Sequence, residues 1–252
     1  MDDAYQIDLA KRRSVAEIIG EALEIYQRYP LLFGALALGV IAPYELAVLA
    51  ATGRGPLASA AHQNVGVFYL LLLLDTALVG PLVSALHIHA VALIGEGCRP
   101  RLAQVAVRGL RVLPVVVAAA IVAGLGIAAG FIALIVPGVL LLLRWSVVAQ
   151  VAAVEHEGWL PSLSRSRELT RGHYGHIFGL LLITGLLSGG ITFGAQLIPL
   201  GSSSGAASVA VGIAARTITA SFSALTLAIL YFDLRARRQA PPRSEIPEPA
   251  SL

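Results

Sequence analysis

The sequence predicts an all-α integral membrane protein in which six transmembrane helices form three hairpins, each preceded by a cytoplasmic amphipathic helix. Hydrophobic residues make up 57% of the chain and charged residues only 13%, whereas about 25% of the residues of soluble domains are charged. Six apolar stretches are long enough to cross a bilayer. The basic residues cluster between alternate stretches, which is the third observation behind the prediction.

The predicted spans each provide about 20 largely apolar residues, the length that a helix needs to cross the hydrocarbon. They cover residues 31–51, 67–94, 112–134, 137–154, 177–200 and 208–234. A β-barrel is excluded because runs such as FYLLLLLD do not alternate in polarity. The predicted organisation is an N-terminal cytoplasmic segment (1–13), a six-helix membrane domain (14–235) and a Pro-rich, disordered cytoplasmic tail (236–252).

The basic residues predict the orientation of the spans. One side of the membrane receives nearly all of them, from Lys11, Arg12 and Arg13 at the start to Arg235, Arg237 and Arg238 at the end, whereas Arg54 is the only base on the other side. The positive-inside rule then places both termini in the cytoplasm, in agreement with an even number of spans. No signal-peptide pattern precedes the first span.

Three short segments before the odd-numbered spans predict the amphipathic helices. In the first, Ser14 and Glu17 fit a capping box before a one-sided apolar face. RPRLAQVAVRGLR (99–111) and LPSLSRSRELTRG (160–172) repeat the pattern. The segments are interpreted either as a surface collar that attracts anionic lipids or as topological anchors over the bundle.

Four charged residues lie within the predicted spans: Glu45, Asp75, Arg144 and Arg216. Unpaired charges are costly in hydrocarbon, so we expect the four to face one another. Counting about 1.5 Å per residue places Arg144 near the membrane midplane. Asp75 is expected to pair with Arg144 or Arg216, and Glu45 with the remaining base. The network is either a structural lock or a polar cavity for an anionic group such as phosphate or carboxylate.

No catalytic residue, metal or cofactor is predicted. The serines of GSSSG have no matching base, and histidines 87, 89, 173 and 176 follow no familiar zinc spacing. Gly185 with Gly189, and Gly190 with Gly194, form small-xxx-small pairs, which predict that the fifth span is buried within the bundle.

Three motifs carry a family resemblance. The first motif is a PG pair, an RW pair and a later glutamate, at Pro137, Gly138, Arg144, Trp145 and Glu155. The second is S-x-x-L-T-x-G, at Ser166, Leu169, Thr170 and Gly172. The third is Y-x-D-L-R, at Tyr231, Asp233, Leu234 and Arg235. Together with the opening VAEIIGEALEIYQRYP, they resemble the membrane domain attached to some bacterial glycerophosphodiester phosphodiesterases, which also occurs as a stand-alone protein. Gly175 departs from the pattern, which has an aromatic residue there.

The resemblance implies a six-helix domain without catalysis of its own, because hydrolysis in the two-part enzymes belongs to a soluble barrel that is not expected here. It also draws attention to the cytoplasmic ends of the spans. There we expect a clamp that holds the third amphipathic helix on the bundle, formed by Glu155, Arg165, Arg167, Arg171, Asp233 and Arg235.

The sequence therefore predicts a non-enzymatic protein of the bacterial inner membrane that binds or scaffolds anionic lipids or other amphiphiles at the cytoplasmic leaflet. Membrane lipids are the expected partners, and nucleic acid is not. The alternative is a small-solute or lipid transporter, or a permease subunit, with a charged cavity inside the membrane. An intramembrane enzyme would require a nucleophile or metal site that the sequence does not contain.

Overall fold

The computed structural model describes residues 7–58, 64–198 and 204–239, which form helices and turns without any strand. Six helical stretches within these ranges are long and apolar enough to cross a membrane. They are Pro30–Thr52, Val65–Gly95, Leu102–Ala133, Ile135–Glu155, Tyr174–Gln196 and Ala206–Gln239. The predicted all-helical, multi-pass membrane protein with six apolar spans is therefore confirmed.

The helices are numbered in chain order. They are α1 Val15–Arg28, α2 Pro30–Thr52, α3 Val65–Leu74, α4 Gly80–Gly95, α5 Leu102–Ala133, α6 Ile135–Arg144, α7 Val148–Glu155, α8 Trp159–Thr170, α9 Tyr174–Gln196 and α10 Ala206–Gln239, with a π-helical segment, Asp75–Val79, joining α3 to α4. The last helix extends four residues beyond the predicted domain end at 235, because Arg237 bonds back to Asp233 one turn earlier. The rest of the predicted tail lies outside the described residues.

The start of α1 has the predicted capping box. The Glu17 backbone N–H donates to Ser14 Oγ (3.3 Å), and the Ser14 N–H donates to Glu17 Oε2 (2.8 Å). The hydrogen bond from the Ser14 backbone, with further help from its hydroxyl and from Lys11, lowers the pKa of Glu17 to about 2. Ile18, Ala22 and Ile25 are buried where α1 contacts α10, α9 and α2.

The second predicted surface helix is not a separate element. Residues 102–111 are the first turns of α5, which continues through Pro114 to Ala133. A proline within a membrane helix is tolerated where its neighbours satisfy the freed backbone groups. Gly109 lets α5 approach α4 closely: a Cβ at this position would lie 2.6 Å from Leu86 Cδ2.

The reversal between the third and fourth spans occurs at one residue. Leu134 is extended (φ −168°, ψ 157°) between the end of α5 and the start of α6. The following Pro137 and Gly138 lie in the first turn of α6. Gly130 and Gly138 then face each other, and a Cβ on Gly130 would lie 3.0 Å from Gly138 Cα. Small residues on both helices allow this tight hairpin.

The core is built around α10 and not around the fifth span. α10 contacts α1, α2, α4 and α9. Of the most apolar stretch of α10, 56% is buried, compared with 17% of the corresponding stretch of α9. The prediction that the small-xxx-small pairs bury α9 is wrong, since a Cβ at Gly185, Gly189, Gly190 or Gly194 would meet no atom within 4 Å. α10 is instead packed through large side chains, among them Leu225, Ile229 and Tyr231.

A buried hydrogen-bond network also joins three helices within this core. His87 Nε2 on α4 lies 2.6 Å from Ser221 Oγ on α10, and Ser221 Oγ donates to the carbonyl of Phe33 on α2 at 3.1 Å. The other imidazole nitrogen lies 2.8 Å from the carbonyl of Val83. These contacts satisfy polar groups that have no access to water.

The first prediction concerns the central position of α10. Leu225→Ala should lower the free energy of unfolding by about 2–5 kcal/mol, because Leu225 is fully buried and its loss leaves a cavity. Leu186→Ala on α9 is the matched control and should have little effect, since Leu186 is 67% exposed. Thermal unfolding of the two variants in detergent measures the difference. Equal destabilisation would contradict the assignment of α10 as the core helix.

Candidate functional site

One guanidinium binds two carboxylates among the apolar helices. Arg216 on α10 donates through Nη1 to Glu45 Oε1 on α2 and through Nη2 to Asp75 Oδ1 at the start of the π-helical segment. The Glu45 side chain is only 4% exposed, whereas those of Asp75 and Arg216 are each 34% exposed. We call Glu45, Asp75 and Arg216 the ion-pair cluster.

The backbone around Asp75 is irregular. The N–H of Gly80 bonds to the Asp75 carbonyl five residues earlier, as in a π-helix. Pro81, which follows, has no N–H, and its ring would crowd the carbonyl of Ala77 in a regular α-helix. The wider π turn relieves this clash. Single π turns within α-helices are frequent at functional sites.

Tyr44 completes the surroundings of the ion-pair cluster and was not identified from the sequence. Its ring centroid lies 5.4 Å from Arg216 Cζ, and its hydroxyl donates to the carbonyl of Leu71 at 3.0 Å. The ring therefore contacts the cation directly. Its position beside Glu45 on α2 gave no reliable signal, because adjacent residues on a helix point in different directions.

Asp75 pairs with Arg216, one of its two predicted partners, but the prediction that Glu45 pairs with the remaining base is wrong. Arg216 serves both Glu45 and Asp75, and no carboxylate in the described part of the chain lies within ion-pair distance of Arg144. With both carboxylates ionised, the ion-pair cluster carries a formal charge of −1. A free phosphate or carboxylate would meet net repulsion there, which argues against the predicted cavity for a simple anion.

Arg144 lies at a break in the fourth span. α6 ends at Arg144 and α7 begins at Val148, so the depth counted along an unbroken helix does not apply. The Arg144 carbonyl accepts hydrogen bonds from Ser166 Oγ (2.9 Å) and Thr170 Oγ1 (3.3 Å) of α8. Its buried Nε has no partner among the described residues. α8 is therefore bonded to Arg144 through the backbone carbonyl of this residue.

The end of the bundle that carries Arg13, Arg165, Arg237 and Arg238 is called the basic end below. Asp233, which is fully buried, lies at its centre. It accepts from the Arg13 backbone N–H at 2.6 Å and from Arg237 Nε at 2.7 Å. His176 Nε2 lies 3.4 Å away, within ion-pair distance. Asp233 thus joins α10 to α9 and to the chain before α1.

Arg13 is a structural residue that sequence reasoning missed. Only 2% of its surface is exposed, and its guanidinium bonds to Glu21 of α1 and to the carbonyls of Asp8 and Lys11. Ile7 is buried in the same core. The described part of the predicted N-terminal segment is therefore packed against the bundle. The sequence does not indicate that this arginine is buried, because it belongs to a run of basic residues of the kind usually found on the surface.

The predicted clamp is present in part. Arg165 Nε of α8 lies 3.1 Å from Glu155 Oε2 at the end of α7, and Tyr231 of α10 donates to Glu155 Oε1 at 3.0 Å. Arg165 also bonds to Glu168 at 2.9 Å. Glu155 therefore connects α7, α8 and α10 at the basic end.

Of the other predicted clamp residues, Asp233 is bonded to Arg13 and Arg237 instead of to α8. Arg235 approaches the Tyr231 hydroxyl, the group that donates to Glu155. Arg167 and Arg171 are exposed. Arg238, which was not predicted, donates to the carbonyls of Glu168 and Arg171 and so caps the end of α8.

Three clefts meet at Asp75 and Arg216. A cleft of about 580 Å³ runs between the helices past Ser84 and Ser188, and two others of about 370 and 210 Å³ lead past Pro56. A separate groove of about 570 Å³, almost entirely apolar, runs along α3, α5 and α6 and shares Thr76, Ala120 and Leu142 with the first cleft. The apolar groove therefore opens next to the charged residues.

Metal chemistry has no set of ligands in the described ranges, where no three His, Cys, Asp or Glu side chains are grouped suitably. The ion-pair cluster offers a cation, two carboxylates and a phenol ring. These groups suit binding of a polar group by charge and hydrogen bonds.

The second prediction concerns Asp233. Asp233→Ala should lower the free energy of unfolding by about 3–5 kcal/mol, because it leaves Arg237 without its buried partner. Glu157→Ala, at an exposed carboxylate nearby, should have almost no effect. Chemical unfolding in detergent compares them. A small loss for Asp233→Ala would show that this network is not a main support of the basic end.

The third prediction concerns pH. Burial, together with the charges of Arg237 and Arg238, lowers the pKa of His173 below the usual 6.5. Between 6.5 and the lower folded-state pKa the unfolded chain binds more protons than the folded chain, so stability falls as the pH drops from 6.5 through the folded-state pKa of His173. His173→Gln should flatten this part of the stability profile measured by thermal unfolding. An unchanged slope would exclude His173 as its source.

Comparison of the chain with protein-family models, with curated proteins and with solved structures gave no match.

Proposed function

We propose that this protein is a non-enzymatic, multi-pass protein of a bacterial inner membrane that binds lipids or related amphiphiles between its helices. The observation that carries the proposal is the continuity of the apolar groove with the cleft that contains Asp75 and Arg216. An amphiphile requires this combination, since its alkyl chain needs an apolar surface and its polar group needs charged partners close to that surface. Each volume lies within the range of about 300–1,000 Å³ typical of ligand sites.

The groove suits an alkyl chain. Its walls include Leu72, Leu73, Leu125, Phe131 and Trp145, and polar atoms contribute little of its surface. It is open on one side, so a chain could enter from the bilayer without passing through water. The lining helices are themselves long and apolar, which keeps this surface within the hydrocarbon.

The charges favour a zwitterionic polar group. A phosphate could bind the exposed part of the Arg216 guanidinium, and an amine could bind Asp75. A purely anionic group would meet the excess carboxylate of the ion-pair cluster. A phospholipid with an amine-bearing head group is therefore the preferred class for this cleft.

The proposed topology places both termini, and with them the basic end, in the cytoplasm. The support is the concentration of Arg and Lys at this end, which the positive-inside rule assigns to the cytoplasmic side. Contacts of α2 with α4, α5 with α6, and α9 with α10 favour three consecutive hairpins. We propose that α1 and α8 are the amphipathic helices that lie over the basic end.

We also propose that the chain is a stand-alone relative of the membrane domain attached to bacterial glycerophosphodiester phosphodiesterases. The three motifs behind the resemblance meet in space. Arg144 is bonded to Ser166 and Thr170, and Glu155 is bonded to Tyr231. Motifs that form one contact network are expected to persist together, which supports treating them as one signature.

Transport is the second candidate. It is favoured by the position of Asp75 and Arg216, which face clefts leading in more than one direction. A transporter would expose this pair to both sides of the membrane in turn. A binding protein would expose it to one side only.

The fourth prediction tests the groove. A Cβ at Gly124, which lines the groove, would meet no atom within 4 Å, so Gly124→Phe should fill the groove without disturbing the backbone. Native mass spectrometry should then show loss of bound short-chain phosphatidylethanolamine. Gly185→Phe is the matched control, because Gly185 is equally unobstructed but lies on the exposed face of α9. Undiminished binding by Gly124→Phe would contradict the proposal.

The same assay tests the charge assignment. Asp75→Asn should reduce the preference for phosphatidylethanolamine over an anionic phospholipid, because it removes the partner of the amine.

For transport, Asp75→Cys in a Cys98→Ser background can be labelled with membrane-impermeant reagents from each side of vesicles. Labelling from both sides favours the transporter, and labelling from one side favours binding alone.

A further inference from the structure

A second cavity, of about 460 Å³, lies at the end of α4 against α5 and the end of α7. Its polar lining consists of His89, Glu96, Arg108, Arg111 and His156. None of these residues lines the apolar groove or the clefts around the ion-pair cluster. The cavity therefore has to be explained separately from the proposed amphiphile site.

His89 is the most buried polar residue of this lining. Only 8% of its surface is exposed, and its Nε2 is buried without a hydrogen-bond partner among the described residues. Buried polar atoms in folded proteins are nearly always paired with protein, water or ligand. By contrast, His87 two residues earlier has partners for both ring nitrogens.

Two arginines supply positive charge to the same cavity. Arg108 and Arg111 are three residues apart on α5 and so lie on one face of the helix. In the described ranges neither guanidinium forms an ion pair, although other arginines of the basic end do. Glu96 is the single carboxylate of the lining, so the formal charge is +1 with neutral histidines.

His156 is held in a fixed orientation beside them. It has a left-handed backbone (φ 54°), which is uncommon for a residue with a side chain. Its Nδ1 lies 2.7 Å from the carbonyl of Val154, which leaves the other ring nitrogen for a ligand. The imidazoles and guanidiniums together provide several donors around one space.

We propose that this cavity binds a phosphate group, with Arg108 and Arg111 as its charged ligands and His89 as a buried donor. A tetrahedral oxyanion can accept hydrogen bonds from two guanidiniums and an imidazole at once, and it offers more acceptor oxygens for them than a carboxylate does. The phosphate belongs either to a lipid head group or to a free phosphorylated solute. The inference does not depend on the amphiphile groove.

The test uses the full-length protein in detergent with two probes, inorganic phosphate and short-chain phosphatidic acid, each titrated by calorimetry. Arg108→Gln with Arg111→Gln should lower the affinity for the bound probe about tenfold or more. Both side chains are exposed, so the fold should be unaffected. Arg167→Gln, at another exposed arginine of the basic end, is the matched control and should bind as the wild type does.

The imidazole ¹⁵N signals of His89 give a readout that does not depend on affinity. They should shift when the successful probe is added to the wild type, and they should not shift in the double variant. Binding of phosphatidic acid alone would identify a lipid head group, and equal binding of inorganic phosphate would identify a soluble phosphate. Absence of binding by both probes, or binding that survives the double variant, would overturn the proposal.

Discussion

The ion-pair cluster depends on one guanidinium shared by two carboxylates in a region with little water. Neither Glu45 nor Asp75 has another cation among the described residues, so Arg216 must stay between them. This requirement fixes the relative positions of α2, the π-helical segment and α10. It also leaves the cluster negative, which selects the chemistry that the adjoining cleft can accept. Removing one partner of such a group is more costly than never having buried it.

The need to pair buried polar groups also explains the two spans with irregular backbone. Where Pro81 prevents a regular turn, the backbone widens into a π turn and places Asp75 beside Arg216. Where the fourth span breaks after Arg144, the freed carbonyl is taken by Ser166 and Thr170. Irregular backbone at membrane depth is tolerated only where protein or a cavity satisfies it. α8 is therefore part of the membrane bundle's hydrogen bonding as well as a helix at its end.

Hydropathy predicted the six spans because a helix that crosses the hydrocarbon needs about 20 largely apolar residues, and loops do not contain apolar runs of that length. Charge in apolar surroundings likewise identified three members of the ion-pair cluster. Arg144 was misplaced because its depth was counted along a helix assumed to be unbroken, and the sequence carries no strong signal for the break. Arg237 could have been predicted as a partner of Asp233, since positions four apart share a helix face. The glycines of α9 show that small residues permit close packing without requiring it.

A purely structural lock would be best served by complete enclosure, because water weakens an ion pair and competes for its hydrogen bonds. Glu45 fits that description, but Asp75 and Arg216 each keep about a third of their side chains open to the clefts. Such exposure within apolar helices gives up part of the electrostatic gain, and it leaves both signs of charge accessible beside an apolar groove. The basic end offers the opposite balance, with excess positive charge around His89. The two sites are separate and differ in the sign of their net charge. The cleft at the ion-pair cluster favours a ligand with both a phosphate and an amine, whereas the cavity at His89 favours a phosphate alone.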